Sequence, residues 1–388
     1  MTASIAHSQS EATVPVSAVR IASMLRNRGQ SSQDLADLSG KDLTSLATED
    51  AEVSFMDLIT LAKHFKRPWP YLLVDEVEEW RAHTHDHRTM GNIRVSSEAT
   101  EVLFDIVDGV YGLLETAAEV FDHDGAALPT TPATLAVPAA VAGRSLRSYL
   151  GVTEAKQLAN AERYAALRLW GHAVQAKGIF AFQRSMPDAG VRAFSLSVAN
   201  QSAIVTSSGD TPYARVFSML HELTHLALRS SGLCDLDRRN AVESYCNAVA
   251  ASCLLPHAML AEAMESEALV GDPVRDDMVV RRLSRRLGAS QAAILIALGD
   301  YKLVESELLD ELERRRAERR PKTTKGSGGP TYYDVRISRA GSRLIGQVFE
   351  AVDARIIEQE TAGALLDVKN HQLDRLRERW REVHPPNA

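Results

Sequence analysis

The chain has 388 residues, 45% hydrophobic and 24% charged, an ordinary globular composition with room for two or three domains. Its formal net charge of -7 excludes a global basic field for nucleic acid, and no apolar run is long enough to span a bilayer. Cys234, Cys246 and Cys253 form no paired framework, and the N-terminus lacks a basic-then-apolar leader, so a cytoplasmic protein with no membrane partner is expected.

Residues 1–15 read as a flexible tail. From 16 to about 80, "AVRIASMLRNRG", "SSQDLADLSG", "KDLTSLATED" and "SFMDLITLAKHF" read as four short helices. Gly29, Gly40, Pro68 and Pro70 act as stops, and Ser31 or Ser32 and Ser54 as caps. Helix, tight turn and helix within so small a unit predict a helix-turn-helix-like domain. The stretch in the recognition position sets Lys41 against Asp42, Glu49 and Asp50. Phosphate and base contacts favour cationic and amide side chains, so docking or homodimerisation is preferred there over DNA binding. Residues 81–96 read as a polar connector; His83, His85 and His87 would share one side only in an extended segment.

Residues 97–270 form the next expected domain. Helical periodicity runs through "SEATEVLFDIVDGVYGLLETAAEVF" and, after a loop rich in Pro and Thr, through "VTEAKQLANAERYAALRLWGHAVQAKG". "GIFAFQRS" and "VRAFSLSVANQSAIVTSS" alternate apolar and polar residues, which predicts three short strands joined by tight turns. Two helices follow, "RVFSMLHELTHLAL" and "DRRNAVESYCNAVAASCLLP", the second closed by Pro256. Residues 271–320 read as a helical extension, 321–330 as a linker, and 331–388 as a C-terminal domain that opens on a possible strand, "TYYDVRIS".

Residues four apart on a helix share a face, so His221 and His225 present two imidazoles to one point, as a shared metal ion requires. Leu220, Leu223, Leu226 and Ala227 supply an apolar back face. Glu222 can reach a water beside the metal without ligating it, take its proton and pass it to a leaving amine. A catalytic site needs a third ligand, and Glu243 on the next helix offers it. Asn247, one turn further, can accept the outer N–H of a ligand histidine. Cys246 and Cys253, on one face of that helix, read as small packing residues.

"RVFSMLHELTHLAL" followed by "ESYCNAVAASCLLP" resembles the ImmA/IrrE family of metallo-endopeptidases, with an N-terminal XRE-type helix-turn-helix domain in its longer members. Cys246 stands at an alanine of the family pattern, Val249 at a phenylalanine, and Thr224 where glycine is common. The resemblance implies an α+β, mostly helical fold around a zincin-like, gluzincin-type core with a small sheet and a helical C-terminal region. It implies a divalent metal, zinc first and manganese as the alternative, held by His221, His225 and Glu243, with Glu222 as the base. It also implies a protein substrate, a helix-turn-helix repressor whose cleavage switches on stress or mobile-element genes. The oxyanion-stabilising residue stays open among His172, Tyr213, Arg215 and Tyr245. The alternatives are a non-enzymatic transcription factor and a toxin–antitoxin or phage-defence component that uses the same fold for sensing or interaction.

Overall fold

Apolar residues at helical spacing gather into two compact units, residues 1–92 with 96–116 and residues 93–95 with 117–388. The computed structural model describes residues 13–27, 30–36, 38, 40–65, 72–73, 97–121, 135–186, 191–228, 236–266, 277–303, 307, 310–311, 314 and 331–383. The histidines at 83, 85 and 87 and the linker at 321–330 lie outside them.

In the first unit β1 (Thr13–Val16) leads into α1 (Ala18–Asn27), and β2 (Ala51–Ser54) leads into α2 (Phe55–Phe65). The strands pair antiparallel, Thr13 opposite Ser54 and Val16 opposite Ala51, so the expected tail already contributes a strand by Thr13. Ile21, Leu25, Leu35, Leu46, Val53, Leu58, Leu61 and Phe65 bury together as its core. The described residues give no evidence for the expected helix-turn-helix. Between α1 and β2 the described residues make two short 3-10 turns, Ser32–Leu35 and Thr44–Ala47, in place of two α-helices. Gly40 adopts a φ of 73°, and Asp42 Oδ1 accepts the Thr44 amide at 3.0 Å. Asp50 accepts the Ala18 amide at 2.7 Å. Such side-chain bonds to the backbone compete with helix, and the predicted recognition helix is reduced to one turn. α3 (Ser97–Val120) then buries Leu103, Val107, Val110 and Leu114 at helical spacing.

The second unit begins with α4 (Ala139–Leu150), α5 (Glu154–Ala159) and α6 (Arg163–Gln175). Three strands follow where alternation predicts them, β3 (Ile179–Arg184), β4 (Ala193–Val198) and β5 (Gln201–Ser207). They are not a simple meander. β5 lies in the centre, parallel to β3 and antiparallel to β4, and only β4 and β5 are joined as a hairpin. Burial explains the order: β5 is buried on both faces from Gln201 to Thr206, as a central strand must be, whereas β4 buries alternate residues.

α7 (Pro212–Leu228) and α8 (Leu236–Leu254) come next, then α9 (His257–Ser266), α10 (Asp277–Leu287) and α11 (Gln291–Asp300). Ile179 and Ile204 of the sheet share one core with Val216, Leu220 and Leu223 of α7 and with Val249, Ala250 and Leu254 of α8. α4 crosses α8 closely, because a Cβ at Gly143 would stand 2.6 Å from Ser252 Cβ. The chain end of α8 leaves carbonyls without helical partners, and side chains satisfy them. Arg147 donates to the Cys253 carbonyl at 2.8 Å, Gln157 to that of Leu254 at 3.0 Å, and Tyr301 to that of Leu255 at 2.8 Å.

The C-terminal helices are α12 (Tyr332–Ala340), α13 (Ser342–Asp353), α14 (Gln359–Leu366) and α15 (Leu373–Val383). The possible strand "TYYDVRIS" is therefore a helix. Thr331 Oγ1 accepts the Asp334 amide at 3.2 Å and Asp334 accepts the Thr331 amide at 3.1 Å, a capping box that starts α12. These helices meet the far edge of the sheet. Arg343 lies over Phe180, and Gly341, at a φ of 74°, sits where a Cβ would be 2.5 Å from the Ala181 carbonyl oxygen. The second unit is thus mostly helical with one small mixed sheet. No helix among the described residues is long and apolar enough to cross a membrane.

Candidate metal centre

α7 opens on Pro212, whose missing N–H costs nothing in a first helical turn. Its start is pinned by Arg215, which donates to the Asp210 carbonyl at 2.9 Å, the Ser208 carbonyl at 2.8 Å and Gln183 Oε1 at 2.7 Å. Val216, Met219, Leu220, Leu223 and Leu226 bury the opposite face, close to the predicted apolar stripe; Ala227 is only half-buried. Thr224, buried, returns its hydroxyl to the Leu220 carbonyl at 2.9 Å, so a polar residue is accommodated at that position.

The helical periodicity then does what the spacing predicts. His221 Nε2 and His225 Nε2 stand 3.0 Å apart. Glu243 of α8 brings one carboxylate oxygen to 3.2 Å from His221 Nε2 and the other to 3.3 Å from His225 Nε2. Among the described residues these three form a group able to hold a metal ion, with donor atoms within 4.8 Å of one another. The histidine nitrogens are 3.0 Å apart and each lies 3.2 or 3.3 Å from a different oxygen of the one Glu243 carboxylate, so two imidazole nitrogens and a carboxylate converge on one point, a donor set whose chemistry fits a divalent ion.

The outer nitrogens are also held. His221 Nδ1 lies 2.9 Å from Asn247 Oδ1. With the amide oxygen in that place Nδ1 carries the proton, and Nε2 presents its lone pair to the cluster. His225 has a side-chain hydrogen bond with Cys246, which is fully buried. Burial works against a charge on His225, but the bonds to Cys246 and Glu243 outweigh it and raise its pKa to about 11. His221 and then His225 hold the Glu243 carboxyl well below the usual carboxylate range. These shifts mean that positive charge is favoured at the point where the donors converge, whether a proton or a metal supplies it. The histidine side chains are 14% and 20% exposed and Glu243 57%, so the cluster opens to solvent on the Glu243 side.

Glu222 is not among the three donors of that group. Its Oε2 accepts a hydrogen bond from Ser195 Oγ of β4 at 2.9 Å, a partner that sequence reasoning missed because strand order is not written in local periodicity. Of the candidate oxyanion donors, Tyr213 is turned to the Ala161 carbonyl at 2.6 Å, and Arg215 is committed to the corner before α7. Tyr245 packs against the core, and its hydroxyl has no partner among the described residues. His172 is exposed on α6. Cys246 and Cys253 are buried, as packing residues should be, but Cys246 also touches a member of the cluster. The turn expected between α7 and α8 falls largely in residues 229–235, outside those described.

Residues 174–298 match the family model for the IrrE N-terminal-like domain, Peptidase_M78. The match takes in the whole sheet, α7 and α8 and ends within α11; it covers about a third of the chain and leaves out the first unit. No curated protein matches the chain.

Proposed function

We propose that the protein is a metal-dependent endopeptidase that cuts a partner protein, with zinc as the first choice of ion and manganese as the alternative. The observation that carries this reading is the convergence of His221, His225 and Glu243 on one point inside the Peptidase_M78 match, with Glu222 beside them but outside the donor set. A divalent ion held by His221, His225 and Glu243 would supply Lewis-acid chemistry to a peptide carbonyl and an attacking water. Glu222 would take the proton of the attacking water on the carboxylate oxygen not held by Ser195 and return it to the leaving amine. Asn247 keeps His221 in the tautomer that offers Nε2 to the ion.

An extended peptide has an adjacent place to lie. β4 pairs only with β5 among the described residues, and the hydroxyl of Ser195 on it reaches Glu222. An added strand on that edge would present its backbone to the cluster through main-chain hydrogen bonds. The resemblance noted in the sequence makes a helix-turn-helix repressor the substrate class to try first. The test is cleavage of a partner repressor by the zinc-loaded chain. Glu222→Gln should retain about one equivalent of zinc and lose cutting, and an equally active Glu222→Gln would overturn the proton-transfer role.

One observation favours a second reading, a non-cleaving sensor of a partner or ligand. Tyr213 and Arg215, two of the four candidate oxyanion donors, are engaged elsewhere. Regulation that persists in Glu222→Gln and fails in His225→Ala would select this reading over proteolysis.

A further inference from the structure

We propose that Ser195 is a positioning residue for Glu222, fixing the base to the edge strand along which a peptide would lie. The inference rests on the reading of Glu222 as the proton acceptor. Three observations carry it. Ser195 Oγ donates to Glu222 Oε2 at 2.9 Å and so ties strand β4 to helix α7. Ser195 stands opposite Ile204 in the sheet, and Ile204 shares the core of α7, so the hydroxyl belongs to the face that looks at the motif helix. The next serine on that face, Ser197, pairs instead with Ser202 Oγ at 2.9 Å on the neighbouring strand. Within one strand the two hydroxyls therefore have different partners, and of the two it is Ser195 that reaches Glu222.

A glutamate side chain turns about three torsions, and ordering it costs free energy. α7 alone fixes where Glu222 begins, not where its carboxylate points. The Ser195 bond fixes Oε2 and leaves Oε1 as the oxygen available for proton exchange. Because the bond comes from β4, it fixes the base relative to the strand that would hold the peptide. Displacements of about 1 Å at a reacting group can cost about a hundredfold in rate, so a single hydroxyl in this place has consequences for catalysis.

A packing bond between strand and helix would look the same in the structure, so the test must separate the two. The probe is acetohydroxamate, whose acidic N–OH proton is taken by a carboxylate beside the metal, bound to the zinc-loaded full chain and followed by calorimetry. Ser195→Ala should retain one equivalent of zinc and bind acetohydroxamate about tenfold more weakly, the scale of a lost hydrogen bond to a charged group. Ser195→Thr, which keeps the hydroxyl, should bind as the unaltered protein does. In a Glu222→Gln background, Ser195→Ala should add nothing further, because it acts only through Glu222. Unchanged affinity in Ser195→Ala, with Glu222→Gln weakened, overturns the positioning role and leaves the metal reading standing. An equal loss from Ser195→Ala with and without Glu222 also overturns it, since packing alone would produce that result. If the chain holds no zinc, or Glu222→Gln binds the probe normally, the reading beneath the proposal fails and the proposal falls with it.

Discussion

Replacing Asn247 with alanine probes the cluster at one atom. Asn247 Oδ1 lies 2.9 Å from His221 Nδ1, and its removal leaves that N–H without the acceptor that selects the tautomer. A neutral hydrogen bond of this kind contributes about 1 kcal/mol net. An imidazole no longer held also divides between two tautomers, of which only one offers Nε2 to the ion. Together these give a loss of about 1.4–2.8 kcal/mol, or ten- to a hundredfold in metal affinity, the range found when outer partners of ligand histidines are removed. The assay is a competitive zinc titration against a chromophoric chelator at fixed pH, with circular dichroism to show that the helices persist. Asn247→Asp retains an acceptor and adds negative charge near His221, so its affinity should equal or exceed that of the unaltered chain. If Asn247→Ala binds zinc as tightly as the unaltered chain, the amide is not the group that orients His221. If Asn247→Asp is as weak as Asn247→Ala, a hydrogen-bond acceptor is not what the position supplies.

Other expectations follow from the same geometry. With His225 raised to about 11, zinc binding at pH 7–9 should displace about one proton, measurable by calorimetry in buffers of different ionisation enthalpy; no release would contradict the shift. In chelated protein, the raised His225 contributes fully below about pH 6.5 and its effect fades as pH rises toward 11. The lowered Glu243 contributes fully above about pH 4.5 and fades below it, so the pair's stabilisation should be greatest between those values in thermal melts across pH. Gly341→Ala places a Cβ against the Ala181 carbonyl at a positive φ and should destabilise the fold by about 2 kcal/mol or more in urea titration. Gln157→Leu removes the partners of the Leu254 and Leu287 carbonyls and of the Arg147 guanidinium, all at a buried position. It should cost about 3 kcal/mol or more, read as a lowered midpoint of urea unfolding.

The metal cluster was legible because each half of it depends on helix periodicity alone. His221 and His225 need only one turn of α7, and Glu243 and Asn247 one turn of α8. Ser195 was not legible, because its partner depends on β4 being an edge beside α7, and that order arises from which strand can be buried on both faces. The first unit misled for a different reason. Leucines three apart, as at Leu43 and Leu46, suit a 3-10 turn as well as a short α-helix. The Asp42 and Asp50 bonds that decide between them reach out of the segment or replace its helical bonds. At "TYYDVRIS" the deciding signal was present in the sequence. Thr331 followed three residues later by Asp334 is a helix-start pattern, and it outweighed the alternation of the residues after it.

The convergence of three donor atoms also requires that the two helices cannot slide past each other. A shift of one residue along a helix axis moves a ligand by about 1.5 Å, enough to break a tetrahedral edge of about 3.3 Å. Each helix is fixed away from the cluster. The Arg215 guanidinium holds the start of α7 to the β3 and β5 ends, six residues before His221. The end of α8 is held by Arg147, Gln157 and Tyr301 on its last carbonyls, and Gly143 lets α4 press against Ser252. Between those anchors the contact surface is apolar and fully buried, with Leu220 and Leu223 facing Val249 and Ala250 in one core. Packed side chains of this kind resist small displacements. The site is therefore preorganised by residues that never touch it: the fold sets the register of α7 against α8, and the register sets the distances among His221, His225 and Glu243.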